Sequence, residues 1–172
     1  MVVTPTVQIL SGVIAFLIAA FAYYLFWAQR KFAELEADKL KRDDQVKMKL
    51  AAYERLTLLT ERSKLDSLIS RTARPGMDAA SMRKALLDAI REEYEYNLTQ
   101  QLYVSPDVWN ALTRMKDQNM YIINQVAGLL PPTATASDLN KQLLQLQNSD
   151  ENTTLNTVVL GAIQHEVRQL IG

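Results

Sequence analysis

From Val7 to Ala28 no side chain carries a charge, and the first charged residue of the chain is Arg30. About 22 residues at roughly 1.5 Å each make a helix of about 33 Å, enough to cross a hydrocarbon core of about 30 Å. The pattern therefore predicts one N-terminal transmembrane helix. Tyr23, Tyr24 and Trp27 crowd one end of the run, where amphipathic rings settle at headgroup level, and Arg30 and Lys31 follow at once. No Lys or Arg precedes the run, whereas Lys39, Lys41, Arg42 and Lys47 add to the basic residues after it. This asymmetry predicts a single-pass protein of the cytoplasmic (inner) membrane, N-terminus out and C-terminal part cytoplasmic. A cleaved signal peptide would want a basic start and a small-x-small cleavage site, and the chain has neither around this run. Ser11, Ala15 and Ala19 form a stripe of small residues that could admit a second membrane helix; a lipid-facing stripe has the same composition.

Between Gly12 and Pro75 there is neither glycine nor proline, so nothing stops this helix from continuing into a charged stalk over residues 30–45. Charges alternate in sign there, with Asp38 four before Arg42 and Asp43 four before Lys47. Phe32, Leu35 and Leu40 are too sparse for a coiled-coil heptad. From Val46 the pattern thickens: Met48, Ala52, Leu56 and Leu59 share one face, Leu50 and Tyr53 lie beside it, and Leu58, Leu65 and Ile69 occupy a third. A helix apolar on several sides needs several neighbours. Arg74-Pro75-Gly76 is the expected end of this helix, and Asp78 the N-cap of the next, in which Met82, Leu86, Ile90, Tyr94, Leu98 and Leu102 recur every four residues. Ser105-Pro106-Asp107 opens a further helix carrying Val108, Leu112, Met115, Ile122, Val126 and Leu129, stopped by Gly128 and Pro131-Pro132. After a Pro/Thr/Ala-rich stretch, Ser137 or Asp138 is expected to cap a short helix, followed by a polar turn and a last helix with Leu155, Val158, Ala162, Val167 and Leu170.

The expected fold class is all-α: a transmembrane helix continuing into a helical stalk, then a cytoplasmic helical bundle with a C-terminal helical hairpin. The expected divisions are 1–29 (tail and anchor), 30–45 (stalk), 46–130 (bundle), 131–137 (linker) and 138–172 (hairpin).

Composition narrows the chemistry. Acidic and basic residues balance at 19 each, which gives no electrostatic footprint for nucleic acid. The helix opened by Ser105 brings only Arg114 and Lys116 to a possible helix-turn-helix. Cysteine is absent, which removes disulfides, thiolate catalysis and cysteine-zinc sites. There is no Gly-rich phosphate loop, no nucleophile elbow and no His-Glu-x-x-His. Glu92 to Glu95 with His165 invites a bundle-type di-metal site, but that architecture needs Glu-x-x-His on two helices and none is present. No catalytic residue, cofactor or metal is expected.

Three stretches, Ala52 to Arg62 (AYERLTLLTER), Ile90 to Ser105 (IREEYEYNLTQQLYVS) and the Val108-Trp109 that follows, resemble a family of uncharacterised single-span membrane proteins of Bacteroidota. The likeness covers roughly residues 50–145. Tyr96 departs from the family pattern, where a histidine is usual. The resemblance implies a membrane-anchored helical architecture and brings no activity or catalytic residue.

Glu54-Arg55 and Glu61-Arg62 return to nearly one helix face at a spacing of seven. Against them stands a polar segment with Glu92, Glu93, Asn97, Gln100 and Gln101. Two readings are open: an interhelical network in a partly dry groove, for which Arg62→Ala would lower melting by several degrees, or two solvated faces. Tyr103 and Trp109, with Tyr96 and Gln100, suit either a protein interface or a core boundary. The expected function is a membrane-tethered, non-enzymatic interaction or scaffold module whose partners are the lipid bilayer and another protein or a second copy. The alternative is a small accessory subunit of a larger membrane complex assembled through its span.

Overall fold

The structure, a computed structural model, describes the backbone of residues 5–147 and 151–172 and the side chains of 12–146 and 155–172. Among the described residues there are six α-helices and no strand: α1 (Pro5–Arg62), α2 (Leu65–Thr72), α3 (Ala79–Tyr96), α4 (Pro106–Leu129), α5 (Ala136–Gln147) and α6 (Glu151–Ile171). A short 3-10 turn, Leu98–Leu102, joins α3 to α4. The chain divides into two compact units within α1, Met1–Gln45 and Val46–Gly172.

In the first unit α1 carries the apolar run. It is the one described helix long and apolar enough to cross a membrane, and none of its most apolar stretch is buried. Near the end of that stretch the Arg30 guanidinium stands 5.1 Å from the Phe26 ring and the Lys31 ammonium 5.1 Å from the Trp27 ring. Cations over ring faces one turn back tie the aromatic cluster to the first charges.

The second unit is built around α4, whose two halves serve different cores. Its first half, through Val108, Leu112 and Met115, packs with Tyr53, Leu56 and Leu59 of α1 and with Val159 and Ile163 of α6. Its second half, through Ile123 and Val126, packs with Leu68 of α2, Met82, Leu86 and Ile90 of α3, and Leu139 and Leu143 of α5. The apolar stripe of α4 is thus filled along its length, a ridge shared by five helices.

The starts of the helices follow the sequence signals. Asp78 Oδ1 accepts the Ser81 amide at 2.7 Å at the head of α3, and Ser105 Oγ accepts the Val108 amide at 3.2 Å at the head of α4. At α5 the cap lies earlier than expected. Thr135, rather than Ser137 or Asp138, is the N-cap: its amide and hydroxyl donate to Asp138 Oδ2 at 2.9 and 2.8 Å, and the Asp138 amide donates back to Thr135 Oγ1 at 3.3 Å. This is a reciprocal capping box. The stretch before it is docked, since Ala79 donates to the Ala134 carbonyl at 3.0 Å and Ala136 to the Met77 carbonyl at 3.1 Å, with all three alanine side chains buried.

Three expectations are corrected. The helix expected to run to Arg74 breaks at Ser63-Lys64, where Lys64 turns extended without any Gly or Pro. Met48 and Leu58 are exposed rather than packed. The helix expected through Leu102 ends at Tyr96, leaving Leu98 and Leu102 exposed. Its end is set by Asn97, whose buried amide donates to the Glu93 carbonyl at 2.8 Å, a local bond that competes with continued helix.

Candidate functional site

Arg55 and Arg62 lie two turns apart on α1, and opposite them α3 brings Glu92, Glu93, Tyr96 and Asn97 to an open groove of about 490 Å³. Glu93 is its centre. Arg62 Nε donates to Glu93 Oε2 at 2.8 Å, and Arg71 Nη1 stands 3.7 Å from the same oxygen. Arg71 is held in place by donating from Nη2 to the Arg62 carbonyl at 2.7 Å and from Nε to the Ser67 carbonyl at 3.3 Å. The Arg62 side chain is 52% exposed and that of Glu93 15%, so the pair sits at the lip of the groove rather than inside a core. Of the two readings left open by the sequence, the geometry is intermediate: a joined network, but a wet one.

Five of the sequence-selected residues, Arg55, Arg62, Glu92, Glu93 and Asn97, meet in this groove. Gln100, Gln101, Tyr103 and Trp109 do not line it. Gln100 turns inward and is buried, Gln101 faces solvent, and Tyr103 is half-buried past the 3-10 turn. Trp109 packs instead on Tyr94, ring centroids 5.3 Å apart, and the Lys116 ammonium covers the Tyr94 ring at 4.6 Å. Because α3 ends at Tyr96, residues 96, 100 and 103 never share one helix face. Of the small-residue stripe, Ala15 and Ala19 are exposed on α1, whereas the Ser11 side chain lies outside the described residues.

Sequence reasoning missed Arg71, which reaches the groove only because the chain breaks before α2. It also missed a clasp at the far side of the bundle. The Glu166 carboxylate on α6 accepts the Tyr53 hydroxyl from α1 through one oxygen and the Ser105 hydroxyl, at the head of α4, through the other. Burial first, and the neighbouring Glu166 carboxylate second, push the Tyr53 phenol above its ordinary range. The signal was present: Glu166 stands three residues after buried Ile163 and seven after buried Val159, on the apolar stripe of its helix. His165 beside it is exposed, its Nε2 3.0 Å from Gln169 Nε2. Among the described residues no cluster of three metal-ligating side chains occurs.

A model of the family of unknown function DUF7935 matches residues 3–170. The chain belongs to that family. The match takes in the apolar helix, the groove and the clasp alike, so all three lie within the family's extent. No curated protein and no solved structure matches the chain.

Proposed function

We propose that the protein is a membrane-tethered, non-enzymatic helical interaction module, anchored N-out by the apolar part of α1 and presenting its bundle on the cytoplasmic side of the inner membrane. The observation that carries this reading is the contrast along α1. Its uncharged stretch exposes Phe16, Leu17, Ile18 and Phe21 on all sides, while the same helix from Ala52 onward is packed into a closed core. An exposed apolar surface of that size needs lipid or other spans around it. The single-span architecture implied by the resemblance to the Bacteroidota family supports it, as does a groove rich in arginine with an exposed tyrosine, the residue types that concentrate binding energy.

The second reading, an accessory subunit assembled through its span, is favoured by Ala15 and Ala19, which leave one face of the exposed apolar helix low enough for close helix approach. Crosslinking in intact cells followed by mild-detergent purification separates the two, comparing the full chain with a version whose residues 7–28 are replaced by an unrelated span. A partner retained by both chains supports the module. A partner lost with the native span supports the accessory subunit, and no partner in either overturns both.

A further inference from the structure

We infer that the arginine groove is a docking site for an acidic amphipathic helix of a partner protein, one carrying two carboxylates about two turns apart with an apolar side chain between them. This inference rests on the interaction-module reading and gives its partner a chemistry.

The groove is electrostatically unfinished. Glu93 is already engaged by Arg62 and approached by Arg71, but the Arg55 guanidinium has no ionic or hydrogen-bond partner among the described residues. Arg62 spends only its Nε on Glu93, which leaves its terminal nitrogens facing solvent as donors. The adjoining groove between α2 and α3, about 450 Å³, shares Arg71 and Glu92 and adds Arg74, Lys84 and Asp88. The continuous surface therefore presents five basic side chains against three acidic ones, in a chain whose net charge is zero. Asp88 is itself occupied, at 2.6 Å from Lys84 and 3.2 Å from Arg91. An acidic partner is complementary to the excess.

Shape specifies a helix. Arg55 and Arg62 are seven residues apart, so their stems rise from one face of α1 about 10 Å apart along its axis. Leu58 stands between them, 55% exposed, and Tyr96 faces the groove from α3, 75% exposed. Basic, apolar, basic along one face, with an aromatic on the opposite wall, is the complement of acidic, apolar, acidic along a helix laid in the groove. Guanidinium forks favour planar carboxylates, which they bind through two bonds at once.

The test uses the full chain in detergent micelles and a fluorescent, helix-forming synthetic peptide with two glutamates seven residues apart and a leucine midway, read by anisotropy. The peptide is expected to bind, to lose about tenfold or more in affinity when both glutamates become glutamine, and to weaken as much against the Arg55→Ala/Arg62→Ala variant. Arg55→Lys, which keeps the charge but not the fork, is expected to fall between. Thermal melting of the double variant, with both arginines exposed, checks that the bundle is intact. Equal binding of the glutamine peptide, or undiminished binding by the double variant, overturns the proposal. In cells, a photocrosslinker at Leu58 is expected to map onto an acidic helical segment of another protein; adducts only to lipid or to a second copy overturn it. If the groove fails these tests while a partner survives replacement of the span, the module reading stands and only its docking site is wrong.

Discussion

Asn119, in the middle of α4, donates its side-chain amide to the main-chain carbonyl of Ser63 at 2.9 Å, with both residues buried. The bond caps the broken end of α1 from another helix. Two more carbonyls there are met in the same way, Thr60 by the Asn156 amide at 3.4 Å and Arg62 by Arg71 at 2.7 Å. The last carbonyls of a helix have no partner within it, and in a bundle interior they must be satisfied from outside. Asn119→Leu fits the apolar stripe by pattern but strands a buried carbonyl. It is expected to cost about 1–3 kcal/mol, seen as a melting point lowered by several degrees; an unchanged melt would remove the capping role.

The clasp on Glu166 joins α1, α4 and α6 through one carboxylate. Tyr53→Phe and Ser105→Ala each leave one oxygen without its hydroxyl, while Glu166→Gln removes the charge that both hydroxyls serve. Each is expected to cost about 1–2 kcal/mol. In a double-mutant cycle, Tyr53→Phe should have little further effect once Glu166 is glutamine. Strict additivity in urea unfolding would show that the two residues act separately.

The legible and illegible parts of the chain divide along physical lines. Helices opened by Asp78 and Ser105 could be read because their caps are local, formed with amides three residues on. The break at Ser63-Lys64 could not, because what stabilises it, Asn119, Asn156 and Arg71, comes from three other helices. A buried asparagine on the stripe of α4 and another on that of α6 were the only traces, and a periodic reading passes over them as blemishes. Arg55, Arg62 and Glu93 could be selected by spacing and charge. Gln100 and Trp109 were misplaced with them because periodicity carried α3 six residues too far, through Leu102, past the Asn97 side chain that ends it.

The Arg62–Glu93 pair looks strong at 2.8 Å yet is half exposed on the arginine side. Solvent screens such a pair and its side chains lose rotamer freedom to form it, so exposed ion pairs contribute about 0.2–1 kcal/mol. Arg71 remains near Glu93 when Arg62 is removed. Arg62→Ala is therefore expected to shift thermal melting far less than Asn119→Leu, the reverse of what charge alone suggests. A loss equal to that of Asn119→Leu would mean that the groove is drier than its geometry indicates.

The aspartates that start α3 and α5, the N-cap Asp78 and the capping-box partner Asp138, respond to acid. Asp78, through its bonds from Ser81, and Asp138, through those from Thr135, are held below the usual 3.8. A folded-state value that is lowered stabilises above the unfolded value and ceases to do so as pH falls through the folded one. Melting points should therefore fall as pH drops below about 4, and Asp78→Asn with Asp138→Asn should flatten that slope by lowering the neutral-pH melt toward the acid one. At the other extreme Tyr53 keeps its proton in the fold beyond the usual 10.0. Its contribution is complete below that value and declines above it, a loss that Tyr53→Phe should abolish. A pH profile unaltered by these substitutions would assign the titration to other groups.

Because the natural chain has no cysteine, any cysteine introduced is unique and reports only its own surroundings. The basic residues that follow the apolar run, with none before it, fix the expected orientation through the retention of Lys and Arg on the cytoplasmic side. Thr4→Cys should react with a membrane-impermeant maleimide in intact cells. Gln125→Cys, exposed on α4, should react only after the membrane is opened. Exchanging Arg30 and Lys31 for glutamine, and adding lysines ahead of Val7, should weaken or invert that preference. Labelling of both cysteines in intact cells, or of Gln125→Cys alone, would place the bundle outside and remove the cytoplasmic docking partner with it.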